Sequence, residues 1–181
     1  DFFHEMSALH HPKESFILTI LKNQKLQVTS KKTNAYTRAL FGLPVYELIL
    51  EPKSQLKVST SFLHKLKILR ISHGVIDSLD LNRGLLKLSI EYSKTSARSS
   101  LKAIENPLLV SLSLRGTNLS KWPPFHNFPR LEVLDLRETN FEKFSSLLSS
   151  KNLHTLYLSG PIPADHLKRL NKRKDIKIII E

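Results

Sequence analysis

Leu109-Val-Ser-Leu112-Ser-Leu114-Arg-Gly-Thr117-Asn-Leu119 aligns without a gap to Leu131-Glu-Val-Leu134-Asp-Leu136-Arg-Glu-Thr139-Asn-Phe141 and to Leu153-His-Thr-Leu156-Tyr-Leu158, at a period of 22 residues. The match runs past the aligned core. Trp122, Phe125 and Phe128 follow Leu119 at intervals of three, and Phe144 and Leu147 follow Phe141 in the same way. In each Leu-x-Leu the two apolar side chains fall on one face of a strand, because side chains alternate with period two. One such unit cannot bury that face alone, whereas stacked neighbours bury it together in a continuous core.

Weaker copies extend the pattern both ways. The apolar pairs are Leu26/Val28, Leu48/Leu50, Leu69/Ile71, Leu88/Ile90, Leu112/Leu114, Leu134/Leu136, Leu156/Leu158 and Ile178/Ile180, at steps of 22, 21, 19, 24, 22, 22 and 22. This spacing resembles the leucine-rich repeat family in its 22-residue form, whose pattern is L-x-x-L-x-L-x-x-N-x-L. The resemblance covers residues 23–181 and is densest from Leu109 to Leu158. It implies an α/β fold of about eight repeats, a solenoid with a curved parallel sheet on its concave side and short helices and irregular segments on its convex side. Eight strands at about 4.8 Å each predict a stack roughly 34 Å long.

The chain departs from the family at the Asn position, which holds Lys31, Lys53, Gly74, Ser93, Thr117, Thr139 and Pro161. Hydroxyls can partly replace the amide, but Lys and Pro cannot. The expectation is a less regular solenoid, most deviant from Asp77 to Asn106, where the steps of 19 and 24 meet. Convex helices are expected over Ala35–Leu43, Ser96–Asn106 and Pro163–Lys172, with Leu167 and Leu170 inward. Trp122 to Pro129 cannot be a regular helix, because its prolines remove donors and block the turn. Residues 1–22 read as an N-terminal cap, with Ser15 to Lys22 as an apolar helical turn or two. Ile178 to Ile180 has no repeat after it. Either Lys168 to Lys174 shields that end or the chain given is a piece of a longer one; the second is the expectation.

With 181 residues, 40% of them apolar, the chain is long enough for a substantial core. Absence of Cys removes Cys-ligated zinc, thiol catalysis and a disulfide scaffold. No apolar run is long enough to span a bilayer as a helix. His4, Glu5, His10 and His11 lack the spacing of a helical zinc motif. His64, His73, His126, His154 and His166 read as surface imidazoles. No nucleophile elbow or phosphate-cradling loop is present. The expectation is a protein that is not an enzyme and takes no cofactor, metal or small-molecule substrate. A scaffold for a catalytic domain elsewhere is a competing reading.

The net charge of +12 raises nucleic acid, anionic membrane and acidic proteins as partners. Sorting by register tests this. The concave-facing residues include basic Lys25, Arg70, Lys87, Arg115, Arg137 and Lys177 and acidic Glu47, Glu51, Glu91, Asp135 and Glu181. That face is nearly neutral and, with Tyr157 as its one aromatic, lacks the stacking platform of a nucleic-acid groove. Ile49, Ile68, Val133, Tyr157 and Ile179 point the same way and suit the centre of a protein interface. Its expected contact residues are Arg70, Arg115, Asp135, Arg137 and Tyr157.

The leading reading is therefore a non-catalytic protein-protein interaction module that binds a partner protein on its concave face. The family resemblance implies the same. The alternative is electrostatic docking to nucleic acid or anionic membrane through basic ends such as Lys168, Arg169, Lys172, Arg173 and Lys174. Lys-, Ile-, Leu- and Ser-rich repeats without Cys are similar to those of bacterial effector proteins, and regulatory proteins with 22-residue repeats are a comparable source. A cytoplasmic location is expected, or secretion into a host cell if the effector likeness holds.

Overall fold

The computed structural model describes residues 16–21, 25–30, 45–52, 55–61, 63–95, 105–118 and 123–181. It is a mixed α/β structure with a mostly parallel sheet and few helices. Twelve strands are present among the described residues: β1 Phe16–Leu21, β2 Lys25–Ser30, β3 Glu47–Pro52, β4 Gln55–Ser59, β5 Ile68–Ser72, β6 Val75–Asp80, β7 Lys87–Glu91, β8 Lys94–Thr95, β9 Ser111–Ser113, β10 Val133–Asp135, β11 Thr155–Leu158 and β12 Lys177–Ile180. One α-helix, α1, spans Ala164–Leu170, and 3-10 turns span Phe125–Asn127 and Phe144–Ser149.

Nine strands form the main sheet in the order β1-β2-β3-β5-β7-β9-β10-β11-β12. The eight apolar pairs all lie in it or at its strand ends, and their first members face one another in one unbroken register: Leu26, Leu48, Leu69, Leu88, Leu112, Leu134, Leu156 and Ile178. The steps of 19 and 24 leave this register intact, so the irregularity expected around Leu88 is absorbed in the connections. From Leu48/Leu50 through Leu156/Leu158 every member is at most 3% exposed. Each such side chain contributes about 2 kcal/mol through burial. Phe125, Phe128, Phe141, Phe144 and Leu147 close the core from the opposite side, as the three-residue spacing predicts for all but Trp122, which lies outside the described residues. Phe141 packs edge-on against both Phe125 and Phe144.

One expectation is corrected, and one sheet is added. The apolar stretch before Lys22 is a strand, not helical turns: β1 pairs antiparallel with β2, from Phe16 opposite Ser30 to Leu21 opposite Lys25. Six residues are too few for a stable helix, and a stretch carrying Ile17, Thr19 and Ile20 favours extended chain. On the far side of the core, β4, β6 and β8 form a second parallel sheet, in stretches where the sequence suggests no strand and no helix, with a register shift between Leu56 and Lys57. The cause is reach. A helix advances about 1.5 Å per residue and a strand about 3.3 Å, so extended chain lets the 21- and 19-residue steps that hold β4 and β6 cover their distance, while β8 lies in the 24-residue step, which shortening does not explain. Helix α1 falls where expected, with Leu170 buried and Leu167 half-buried. The Ala35–Leu43 helix and the Ser96–Ile104 part of the other lie outside the described residues, and Glu105 and Asn106 are not helical.

Two columns of polar groups hold the turns together. After the strands, Ser93 and Thr117 are buried; the Thr117 hydroxyl donates to the Ile90 carbonyl at 2.7 Å and accepts from the Ser93 N–H at 3.4 Å. The Ser93 hydroxyl in turn accepts from the Gly74 N–H at 3.3 Å and donates to the Glu91 carbonyl at 3.0 Å. Before the strands, Thr60, Asn82 and Asn106 are buried: Asn82 donates to the Leu63 and Leu66 carbonyls, and Asn106 donates to the Asn82 carbonyl at 2.9 Å.

Candidate functional site

The face of the main sheet turned away from the core carries the residues before, between and after each apolar pair. Its central row runs Ile49, Arg70, Ser89, Ser113, Asp135, Tyr157, Ile179 across adjacent strands. Ile49, Ile68, Val133, Tyr157 and Ile179 are all half-buried there, neither in the core nor fully in solvent.

Three of the five expected contact residues form one cluster. The Arg137 guanidinium lies 5.0 Å over the Tyr157 ring, donates from Nη2 to Asp135 Oδ2 at 2.7 Å and from Nη1 to Glu181 Oε1 at 2.6 Å. Its side chain is 16% exposed. The hydrogen bond to Asp135, and then that to Glu181, raise its pKa further above the ordinary guanidinium range, against the opposing cost of burial. The cation is thus locked in place across β10, β11 and β12. Arg115 follows β9 and makes a separate cluster with Glu138, donating from Nε at 2.9 Å and Nη2 at 2.7 Å. That hydrogen bond is the main reason its pKa also rises. Its guanidinium lies 5.8 Å over the Tyr92 ring. Arg70 stands apart on β5, paired with Glu47 at 2.9 Å and half exposed. Ser89 and Ser113 separate it from Asp135, and both hydroxyls donate to Glu91 Oε1, at 2.7 Å and 3.1 Å.

Tyr92, Glu138 and Glu181 complete these clusters, and the sequence reading did not select Tyr92 or Glu138. A signal for them exists in the positions two residues past the five pairs from Leu69/Ile71 to Leu156/Leu158: His73, Tyr92, Gly116, Glu138 and Gly160. All five have positive φ, from 49° at Tyr92 to 72° at Gly160. Glycine marks such a left-handed position; His, Tyr and Glu pay roughly 1–2 kcal/mol each to adopt it. The reward visible at this edge is side-chain placement. The His73 and Tyr92 rings stack at 5.5 Å, and the Tyr92 ring lies over Gly116, where a Cβ would sit 2.3 Å from its Cδ1.

The basic cluster in the last turn of α1 and just after it divides into two kinds of residue. Lys168, Arg169, Lys172 and Lys174 are exposed. Arg173 is structural: it reaches the carbonyls of Leu148 and Ser150 at 3.2 Å, those of Lys151 and Leu153 at 3.4 Å, and both carboxylate oxygens of Asp175. The hydrogen bond from Arg173 holds the Asp175 carboxyl below its ordinary range. His64, His73, His126 and His154 are exposed, His154 within 3.3 Å of Glu132, while His166 is half-buried against Phe144. Among the described residues no group of three or more His, Asp or Glu could hold a metal, and no helix is long and apolar enough to cross a membrane. A recess of about 210 Å³ lies on the opposite side, lined by Phe125, His126, Phe128 and Ser149 to Asn152 among others. No protein-family model matches the chain, and no curated protein matches it.

Proposed function

We propose that the chain is a leucine-rich-repeat-type solenoid acting as a non-catalytic module, and that its open sheet face, read as the concave wall, binds a partner protein. The solenoid reading is supported by apolar pairs at steps close to 22 residues stacking in one parallel register. The observation that carries the binding reading is the pre-ordered strip of Asp135, Arg137 and Tyr157, flanked by half-buried Val133 and Ile179 and by the exposed Arg115–Glu138 pair. Aromatic and Arg side chains already fixed by their neighbours lose little freedom on binding, which is where affinity is usually forfeited. A standard interface needs about 800 Å² per partner, and eight adjacent strands offer that area.

The test is affinity capture from a cell extract, quantified by mass spectrometry, with four baits. Wild type is expected to retain a specific protein. Arg115→Glu with Tyr157→Ala should lose it, with the melting curve little changed. A quadruple Glu substitution at Lys168, Arg169, Lys172 and Lys174 should retain it. Arg137→Glu is kept as a separate bait, since it also cuts the Asp135 and Glu181 contacts. Capture that survives the first variant but not the quadruple one, and that falls steeply with salt, would replace this reading with electrostatic docking through the basic end.

A further inference from the structure

We propose that the edge at which the parallel strands of the main sheet begin is a second binding surface, one that docks along the phosphate backbone of a nucleic-acid duplex. The turns before β5, β7, β9, β10, β11 and β12 are tied into one line. Asn82 donates to the Leu63 and Leu66 carbonyls, and Asn106 donates from its side chain to the Asn82 carbonyl at 2.9 Å and from its N–H to the Asn127 carbonyl at 3.3 Å. Asn152 donates to the Pro129 carbonyl at 2.7 Å and Arg173 to the Ser150 carbonyl at 3.2 Å. This stacking sets Lys65, Arg83, Arg130, Lys151 and Lys174 along one edge, with Lys87 at the head of β7. The steps from β5 to β12 through β7, β9, β10 and β11, at about 4.8 Å each, make the line roughly 24 Å long.

All six cations are exposed, and among the described residues none makes an ion pair. Like charges in neighbouring repeats repel. Lys67, half-buried on the same edge, shows what a structural cation does there: its Nζ donates to the Gly84 carbonyl at 3.0 Å. At the opposite edge Arg115 and Arg137 are neutralised by Glu138, Asp135 and Glu181. The carboxylates among the basic turns are Glu105, Glu132 and Asp175, and the last two face His154 and Arg173. A line of cations without carboxylate partners, held in place by stacked turns, suits an anionic polymer. What the edge lacks decides which one. Single strands are held by stacking aromatics, protein interfaces by an apolar centre, and lipid surfaces by apolar side chains sunk among the headgroups. Of the exposed large apolar residues among those described, Tyr46, Tyr92 and Ile180, only Tyr46 lies at this edge, where its carbonyl accepts from the Lys67 N–H. A duplex backbone asks only for cations in a line, and about 24 Å covers roughly seven base pairs.

Fluorescence anisotropy with a labelled duplex of about 20 base pairs, over a range of salt, tests this. With about five phosphates engaged, log K should fall with log[salt] at a slope of about −4.5, whatever the base sequence. Lys65→Gln, Arg83→Gln, Arg130→Gln and Lys151→Gln combined should weaken binding about a hundredfold or more near 0.1 M salt and flatten the slope to about −1. The control carries Lys94→Gln, Lys143→Gln, Lys168→Gln and Arg169→Gln, at exposed cations outside the line. Removing four cations takes the net charge from +12 to +8 in both, yet the control should bind within about threefold of wild type. Should the combined edge variant lose its melting transition, Arg130→Gln and Lys151→Gln singly should each flatten the slope by about one. Arg115→Glu with Tyr157→Ala should leave duplex affinity within the same range, which separates this edge from the sheet face. A wild-type chain that does not bind the duplex at about 50 mM salt, a control that weakens as far as the edge variant, or tighter binding to phosphatidylserine vesicles or polyglutamate than to the duplex would each overturn the proposal.

Discussion

Gly116 and Gly160 adopt the same left-handed backbone, with φ of 61° and 72°, in different surroundings. Nothing lies within 4 Å of a Cβ built at Gly160, while one at Gly116 meets the Tyr92 ring. Gly160→Ala should therefore cost the backbone term alone, about 1–2 kcal/mol in urea denaturation. Gly116→Ala should cost more, and the excess should vanish in a Tyr92→Ala background; equal costs in both backgrounds would show that the ring does not rest there. Thr117 is the second residue whose chemistry is exposed to test. It is buried and bridges the Ile90 carbonyl and the Ser93 N–H. Thr117→Val keeps the shape and removes the oxygen, and should lose about 1–3 kcal/mol. Thr117→Ser should lose much less.

At the scale of elements, the turn between α1 and β12 rests on Arg173. Its guanidinium satisfies carbonyls left over by the preceding 3-10 turn and is steadied by Asp175. Because the Asp175 carboxyl is held below its ordinary range, the unfolded chain binds that proton more readily than the folded one. The stabilisation is present above the ordinary carboxylate range, about pH 4, and is lost as pH falls through the depressed folded value. Carboxyl-detected NMR titration should find Asp175 titrating low in wild type and in the ordinary range in Arg173→Gln. That variant should also unfold about 1–3 kcal/mol more easily, since part-buried carbonyls lose their donor. A similar dependence on polar anchoring applies to the turns before β5 and β7, whose Leu63, Leu66 and Asn82 carbonyls accept from the side chains of Asn82 and Asn106.

Across the whole molecule, one apolar core runs from Val45 to Ile176 without interruption. Leu134, fully buried in the middle of it, touches both neighbouring pairs through the register with Leu112 and Leu156. Leu134→Ala should cost about 2–5 kcal/mol. The loss should appear as one cooperative transition followed alike by far-UV circular dichroism and tyrosine fluorescence; two separated transitions would mean that the stack divides. On the opposite face of the same strand, Val133→Ala should cost far less, because that side chain is half in solvent.

What the residues determined by themselves was the position of the main strands. Apolar pairs from Leu26/Val28 to Ile178/Ile180 could be placed in advance because burial on one face of a strand is a period-two property, readable wherever the pair recurs. That Ile49, Ile68, Val133, Tyr157 and Ile179 face away from the core was legible for the same reason, whereas the register alone read them as exposed and the structure leaves them half-buried. The tertiary structure alone decided how the short connections run, since whether Gln55–Ser59 extends or coils depends on the distance it must cover. It alone joined Arg137 to Glu181 across 44 positions and Arg115 to Glu138 across 23, because ion pairs are chosen by proximity between strands and leave no periodic trace. It also turned Arg173 from a member of a basic run into the anchor of a turn, which only the location of four carbonyl oxygens could reveal.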